Sequence, residues 1–415
     1  MKKTLSAAEA AGLLDISLPT LYAYVSRGML HSISAEGARS KRYLHDEVLR
    51  LAARNTDSRR AGRAAERAID WGVPVLESRI TLIADGKLHY RGHDAIALAQ
   101  TATLEQVAQL LWECGTEDFF SAGDPNPQDM PARLWRGLQA PLAKLPPLDR
   151  AMSLLPAIAP QLQHTWGRTA VGMRRAGAQL MRVLAAALVG GDISNAPLHI
   201  RVAQAWELDA QAADLLRAVL VSCADHELNA STFTVRCVAS TGAHLHAAVT
   251  AGLAALSGPR HGGESPRVRA MLDAALGQAD LARFLSERLY DAASPSGSSP
   301  GFGSSLPGFG HPLYPHGDPR GKLLLQLLPR FAAKDKAKAI LAIVDAAQQI
   351  TGQHPNLDFG LAALELACGW PRSAAQTLFA LGRSAGWIAH AMEQVADGRL
   401  IRPRARYIGS FEPVA

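Results

Sequence analysis

The chain of 415 residues and 44.2 kDa is 48% apolar and 19% charged, a balance that excludes wholesale disorder and provides for two or three domains with large cores. No uncharged apolar run reaches membrane-spanning length, Glu9 and Asp15 interrupt any export signal behind Lys2 and Lys3, and the four cysteines (Cys114, Cys223, Cys237, Cys368) form no C-x-x-C pair. A soluble cytoplasmic chain with buried thiols and no membrane contact is therefore expected. The formal charge of +6 is unevenly placed: residues 1–67 hold 12 Lys/Arg against 7 Asp/Glu, and the remaining 348 hold 31 against 30. Such asymmetry suggests a small basic module facing an anionic partner, joined to a larger body with a different task.

Ser6-Ala-Ala-Glu9 is a capping box that opens a short helix through Leu14. Ser17 can cap a second helix, with Pro19 tolerated in its first turn and Gly28 closing it after Arg27. Leu21 and Val25, four apart, are expected to pack on Leu13 and Leu14. A basic loop with Arg39, Lys41 and Arg42 precedes a helix from about Asp46 to Arg54. Two short helices joined by a tight turn are the helix-turn-helix signature.

The run from Thr20 to Gly28, with Gly37-Ala-Arg-Ser-Lys-Arg-Tyr43 and Asp46-Glu-Val-Leu49, resembles excisionase and MerR-type winged helix-turn-helix domains. The resemblance implies a domain over residues 1–54 that binds DNA through Thr20, Tyr22, Arg27, Arg39, Lys41 and Arg42. A helical docking or dimerisation module with a solvated basic face is the alternative, since positive charge alone gives non-specific affinity. Residues 55–69 have no apolar face and read as a charged linker.

Beyond the linker, Ala- and Leu-rich stretches recur with helical spacing, as in Leu104, Val107, Ala108 and Leu111, and again around Leu215 to Val221. Met181 to Gly191 reads as a core helix. Ile80-Thr-Leu-Ile83 and Lys87-Leu-His-Tyr90 flank Asp85-Gly86 and predict a β-hairpin. Pro141, Pro146, Pro147, Pro156 and Pro160 are expected to break the middle into short helices. The fold class of the body is all-α.

Several mechanisms fail on spacing. Ala230 stands where a His-Glu-x-x-His motif needs its second ligand, so no metal site is expected. Gly301-x-Gly303 runs into Leu306 where a dinucleotide fingerprint needs glycine. Gly317 to Lys322 is too short for a P-loop. What remains is a series of histidines, arginines and aspartates set among Gly and Pro: Asp225-His226-Glu227, Gly258-Pro-Arg-His261-Gly-Gly263, Gly308-Phe-Gly-His311, Asp318-Pro-Arg320, His354-Pro-Asn-Leu-Asp358, Gly382-Arg383 and Arg402-Pro-Arg404. Imidazoles can polarise carbonyls or move protons, several arginines suit a small polyanion, and one aspartate suits a carbon-acid base.

With Gly86-Lys-Leu-His-Tyr-Arg-Gly92 and Gly386-Trp-Ile-Ala-His390, these motifs make residues 72–409 similar to the citrate synthase family. The resemblance implies an all-α homodimer, with a large domain over 70–270 and 375–415 and a small domain over 271–374. It implies condensation of acetyl-CoA with oxaloacetate and water to citrate and CoA. Asp358 would be the base, with His261 donating to the enolate and His311 polarising the ketone. His226, Arg320, Arg383 and, across the dimer, Arg402 would hold oxaloacetate. No cofactor is permanently bound; the CoA thioester is a substrate. Two alternatives stay open: 2-methylcitrate synthase using propionyl-CoA, because one methylene is worth only about 1–3 kcal/mol in a pocket, and a DNA-binding regulator that uses the fold as a metabolite sensor. The family's common His-Gly-Gly-Ala-Asn reads His261-Gly-Gly-Glu264-Ser265 here, and Pro-Gly-Phe-Gly is duplicated at 300–303 and 307–310 in a stretch expected to order only with ligand.

Overall fold

In the computed structural model, the described residues are 4–14, 16–26, 30–34, 41–45, 47–49, 51, 76–121, 132–162, 169–293, 305–405 and 407–409. They fall into two compact units, one within Met1–Glu77 and one within Ser78–Ala415. The linker at 55–69, Arg27, Arg39 and the 300–303 repeat lie outside the described residues.

The first unit opens with β1 (Thr4–Ser6), α1 (Ala7–Leu14) and α2 (Leu18–Ser26), followed by β2 (Ser32–Ser34) and β3 (Lys41–Leu44). The capping box forms: Glu9 N–H donates to Ser6 Oγ at 3.3 Å and Ser6 N–H to Glu9 Oε2 at 2.8 Å. The strands make an antiparallel sheet in the order β1-β3-β2. Ala10, Ala11, Leu14, Leu21, Leu30, Tyr43 and Val48 fill a separate core, with Val25 packed against it. The expectation for Leu13 fails, for it is 46% exposed. An eight-residue helix carries a narrow apolar stripe, and Ala10, Ala11 and Leu14 already occupy it. Residues 47–49 are helical as expected, while Asp46 and residues 52–54 are outside the described set.

In the second unit β4 (Thr81–Ala84) and β5 (Lys87–Tyr90) pair across Asp85-Gly86, whose φ values of 51° and 71° suit a tight hairpin turn. A two-residue strand that sequence periodicity did not mark, β6 (His93–Asp94), completes the sheet. Helices account for the rest: α3 (Ala95–Thr101), α4 (Leu104–Leu111), α5 (Ala132–Gln139), α6 (Pro147–Ile158), α7 (Ala170–Val189), α8 (Leu198–Ala205), α9 (Ala210–Ser222), α10 (Ala230–Ser240), α11 (Leu245–Leu256), α12 (Glu264–Ala275), α13 (Leu281–Ala293), α14 (Pro319–Phe331), α15 (Lys334–Thr351), α16 (Leu357–Ala367) and α17 (Ala374–Asp397). Pro156 does not break α6. It sits inside the last turns of that helix, although Pro147 does start it.

Two long helices organise the core. Helix α7 runs twenty residues from its Thr169 cap and is buried over most of its length, as the Met181–Gly191 run anticipates. Helix α17 packs against α4, α7, α9, α10 and α11. It approaches α9 closely at Gly382, where a Cβ would stand 2.6 Å from the Leu220 carbonyl oxygen and 2.7 Å from Cys223 Cβ. Gly252 of α11 makes a similar contact with Val235 and Trp387. Among the described residues no helix is long and apolar enough to cross a membrane.

Gly382→Ala should therefore lower the melting temperature, at a cost of about 1–3 kcal/mol, because a backbone oxygen cannot rotate away as a side chain can. Thermal unfolding followed by circular dichroism checks this, and an unchanged midpoint would show that α9 and α17 separate freely.

Candidate active site

His226 stands in the short connection between α9 and α10, and its neighbours fix it there. The preceding Asp225 is fully buried; its Oδ2 accepts from Thr81 Oγ1 at 2.5 Å, His390 Nε2 at 3.3 Å and Glu227 N–H at 3.2 Å. That last bond closes over Glu227, whose φ of 54° is a left-handed conformation. Burial works against the Asp225 carboxylate, but His390, Arg383 and Thr81 outweigh it and hold its pKa below the usual range. Tyr90, on the hairpin, donates to the Val221 carbonyl at 3.2 Å and accepts from Asp225 N–H at 3.4 Å.

His226 Nε2 lies 3.0 Å from the Tyr314 hydroxyl, and its ring meets that of His311 edge-on with centroids 5.1 Å apart. His311 comes from the glycine-rich turn ahead of α14. Leu313 N–H donates to its Nδ1 at 3.2 Å, so the neutral ring carries its hydrogen on Nε2. Arg320, in the first turn of α14, lies over Tyr314 with its guanidinium carbon 5.6 Å from the ring centroid. It is buried in a two-pronged pair with Asp318, at 2.9 Å from Nε to Oδ1 and 2.8 Å from Nη2 to Oδ2. The same Asp318 caps α14 through Arg320 N–H and accepts from Leu357 N–H at 3.1 Å, at the start of α16. One carboxylate thus ties two helix N-termini together.

Asp358 is the second residue of α16, behind the Asn356 cap. Burial pushes its pKa up to about 6, against the opposing effect of a 2.5 Å hydrogen bond from Ser265 Oγ to its Oδ1. His261 lies in the turn before α12 with Nε2 2.8 Å from Ser231 Oγ, which also receives Trp387 Nε1–H at 3.2 Å. Its ring stands edge-on to Phe379. Arg383 covers the same Phe379, 4.5 Å from its centroid, and donates from Nε to the Cys223 carbonyl at 2.8 Å. At 1% exposure, Arg383 has no ion-pair partner among the described residues. Burial brings His261 and His311 down to about 4, assisted by Arg383 and Arg320 respectively, and lowers His226 well below its ordinary value. All three rings are neutral at physiological pH.

Six of the seven candidate residues, His226, His261, His311, Arg320, Arg383 and Asp358, therefore line one buried polar centre. Arg402 is exposed in the C-terminal tail. In the first unit Tyr22 is 50% exposed, Thr20 is half-buried against Ser17, and Lys41 and Arg42 are exposed on β3. Sequence reasoning missed Asp318, Tyr314, Ser231 and Ser265 as site residues. Asp318-Pro319 is a helix-start signal that could have flagged the first; nothing in the sequence marks which hydroxyl residues face the centre.

A family model for the citrate synthase C-terminal domain matches residues 69–404. The chain is 33% identical to a citrate synthase of Haloferax volcanii over 83% of its length and 97% of that protein. Among solved structures, citrate synthase from Pyrobaculum aerophilum superposes with a TM-score of 0.67 at 26% identity, covering 83% of this chain and 92% of that one. The Thermoplasma acidophilum citrate synthase, solved with carboxymethyl coenzyme A and oxaloacetate, gives 0.66 at 22% identity over 83% and 96%.

Asp318→Asn leaves Arg320 buried without a charged partner and should destabilise the fold by about 3–5 kcal/mol. Because the folded pKa of Asp318 is depressed, that contribution is present above about pH 4 and is lost as pH falls through the folded value. Denaturant unfolding of variant and wild type at pH 7 measures it, and equal midpoints would overturn it.

Proposed function

The chain belongs to the citrate synthase family, and on that premise we propose that it condenses acetyl-CoA with oxaloacetate and water to give citrate and CoA. The observation that carries this reading is the pair of buried guanidinium groups beside three neutral imidazoles. A buried cation such as Arg383, with no carboxylate ion-pair partner among the described residues, calls for an anionic ligand, and a dicarboxylate keto acid supplies two charges and a carbonyl. In this reading Arg320 and Arg383 hold the carboxylates with His226, joined by Arg402 from a second copy. His311 donates from Nε2 to the ketone oxygen.

Asp358 removes a proton from the thioester methyl while His261 donates to the oxygen that becomes the enolate. When Ser231 gives its hydrogen to Nε2, the neutral His261 ring carries its own on Nδ1, the nitrogen left to donate. The nucleophilic carbon adds to the ketone, the alkoxide is protonated, and water cleaves the resulting thioester to release the thiol. Closure of a small domain over 271–374 onto the rest would keep water from the enolate until the carbon–carbon bond exists. The reaction needs no resident cofactor.

We also propose that residues 1–54 form a winged helix-turn-helix that contacts DNA. Supporting this are the α1-turn-α2 pair, the exposed Tyr22 on α2, and Lys41 and Arg42 exposed together on β3.

Thiol release from acetyl-CoA should depend on oxaloacetate and should exceed that from propionyl-CoA in kcat/KM; the reverse ratio would make the enzyme a methylcitrate synthase. Turnover should fall about tenfold per pH unit below pH 6 as Asp358 takes a proton, and Asp358→Asn should lose roughly 10²–10⁴-fold in kcat. No oxaloacetate-dependent release by folded protein would remove the enzyme reading. Removing residues 1–67 should leave thiol release within about twofold while abolishing salt-sensitive binding to duplex DNA in fluorescence anisotropy; full-length protein that shows no such binding would overturn the proposal for the head.

A further inference from the structure

The base is not alone in its pocket. Ser265, 3% exposed in the first turn of α12, places its hydroxyl 2.5 Å from Oδ1 of Asp358. The backbone that carries it has little freedom. A Cβ on Gly263 would meet the Pro259 carbonyl oxygen at 2.6 Å, and Gln376 Nε2 holds the Gly262 carbonyl at 2.7 Å. On the other side, Glu264 Oε1 accepts from Gly308 N–H at 2.7 Å and Oε2 from Arg267 at 2.9 Å. Ser265 is thus presented to Asp358 from a turn fixed on two sides.

Resting on the condensation reading, we infer that Ser265 is a positioning residue for the base. Its hydroxyl occupies Oδ1 and fixes the carboxylate plane, so that Oδ2 is the oxygen that receives the methyl proton. Proton balance is simple. The C–H electron pair moves into the forming enolate, the proton bonds to Oδ2, and Ser265 keeps its own hydrogen throughout. A donor to the ionised carboxylate also favours the form that can act as a base. Apart from burial, the groups acting on Asp358 are Ser265, Glu264 on the same helix, and Arg320 and Asp318 at the start of α14. Ser265 is the group among these that hydrogen-bonds the carboxylate.

Two measurements on the full-length protein test this, one independent of turnover. With aspartate carboxyls labelled with ¹³C and the Asp358 signal assigned by its loss in Asp358→Asn, NMR titration of Ser265→Ala should show Asp358 titrating about one pH unit higher than in wild type. In the thiol-release assay the acidic limb of Ser265→Ala should move up by the same amount. Its kcat should drop about ten- to a hundredfold, with the oxaloacetate KM held within twofold. Ser265→Thr, which keeps the hydroxyl, should restore both the titration and the limb. An Asp358 titration in Ser265→Ala identical to wild type would overturn the inference whether or not any thioester is turned over. An intact titration shift without oxaloacetate-dependent release would instead count against the condensation reading and leave the contact standing.

Discussion

The site hangs on one carboxylate. Asp318 accepts the N–H that starts α14, grips Arg320 by two nitrogens, and accepts the N–H of Leu357, from which α16 carries Asp358. Those three tasks fix the relative positions of Arg320 and the carboxylate of Asp358, which lie 38 residues apart in the chain. The arrangement is costly, because an ion pair removed from water returns its desolvation penalty only when geometry and additional hydrogen bonds are good. Here all of those conditions are met by a single side chain, and the cost secures orientation.

Around that pair the histidines respond to burial and to the two arginines. Burial alone disfavours an imidazolium, and Arg320 and Arg383 add to the effect, so His226, His261 and His311 are neutral donors and acceptors. The same burial acts oppositely on Asp358 and moves it toward neutrality, into the range where a base exchanges a proton readily. One physical cause, exclusion of water, therefore both keeps the imidazoles neutral and raises the Asp358 carboxyl.

Much of this was readable from residues. The capping box at Ser6, the Asp85-Gly86 hairpin and the α7 core run depend on local rules, and local rules act within a few residues. The His-Arg-Asp series announced a polar centre because such residues among Gly and Pro have few other uses. Leu13 and Pro156 went the other way because packing decided them: a stripe already filled by Ala10 and Leu14, and a helix end that proline does not disturb. The contacts of Ser265, Ser231 and Tyr314 span 93, 30 and 88 residues, and no periodicity carries information over such distances.

Gly308 adopts a φ of +80°, with Val268 and Phe359 where a side chain would be, and Glu264 holds its N–H. Three residues later comes His311. The chain is thus moored immediately before the histidine, and changes in length or composition across 294–304 end at a fixed point. The backbone that leads into His311 is therefore placed by α12 and α16 rather than by what precedes Gly308.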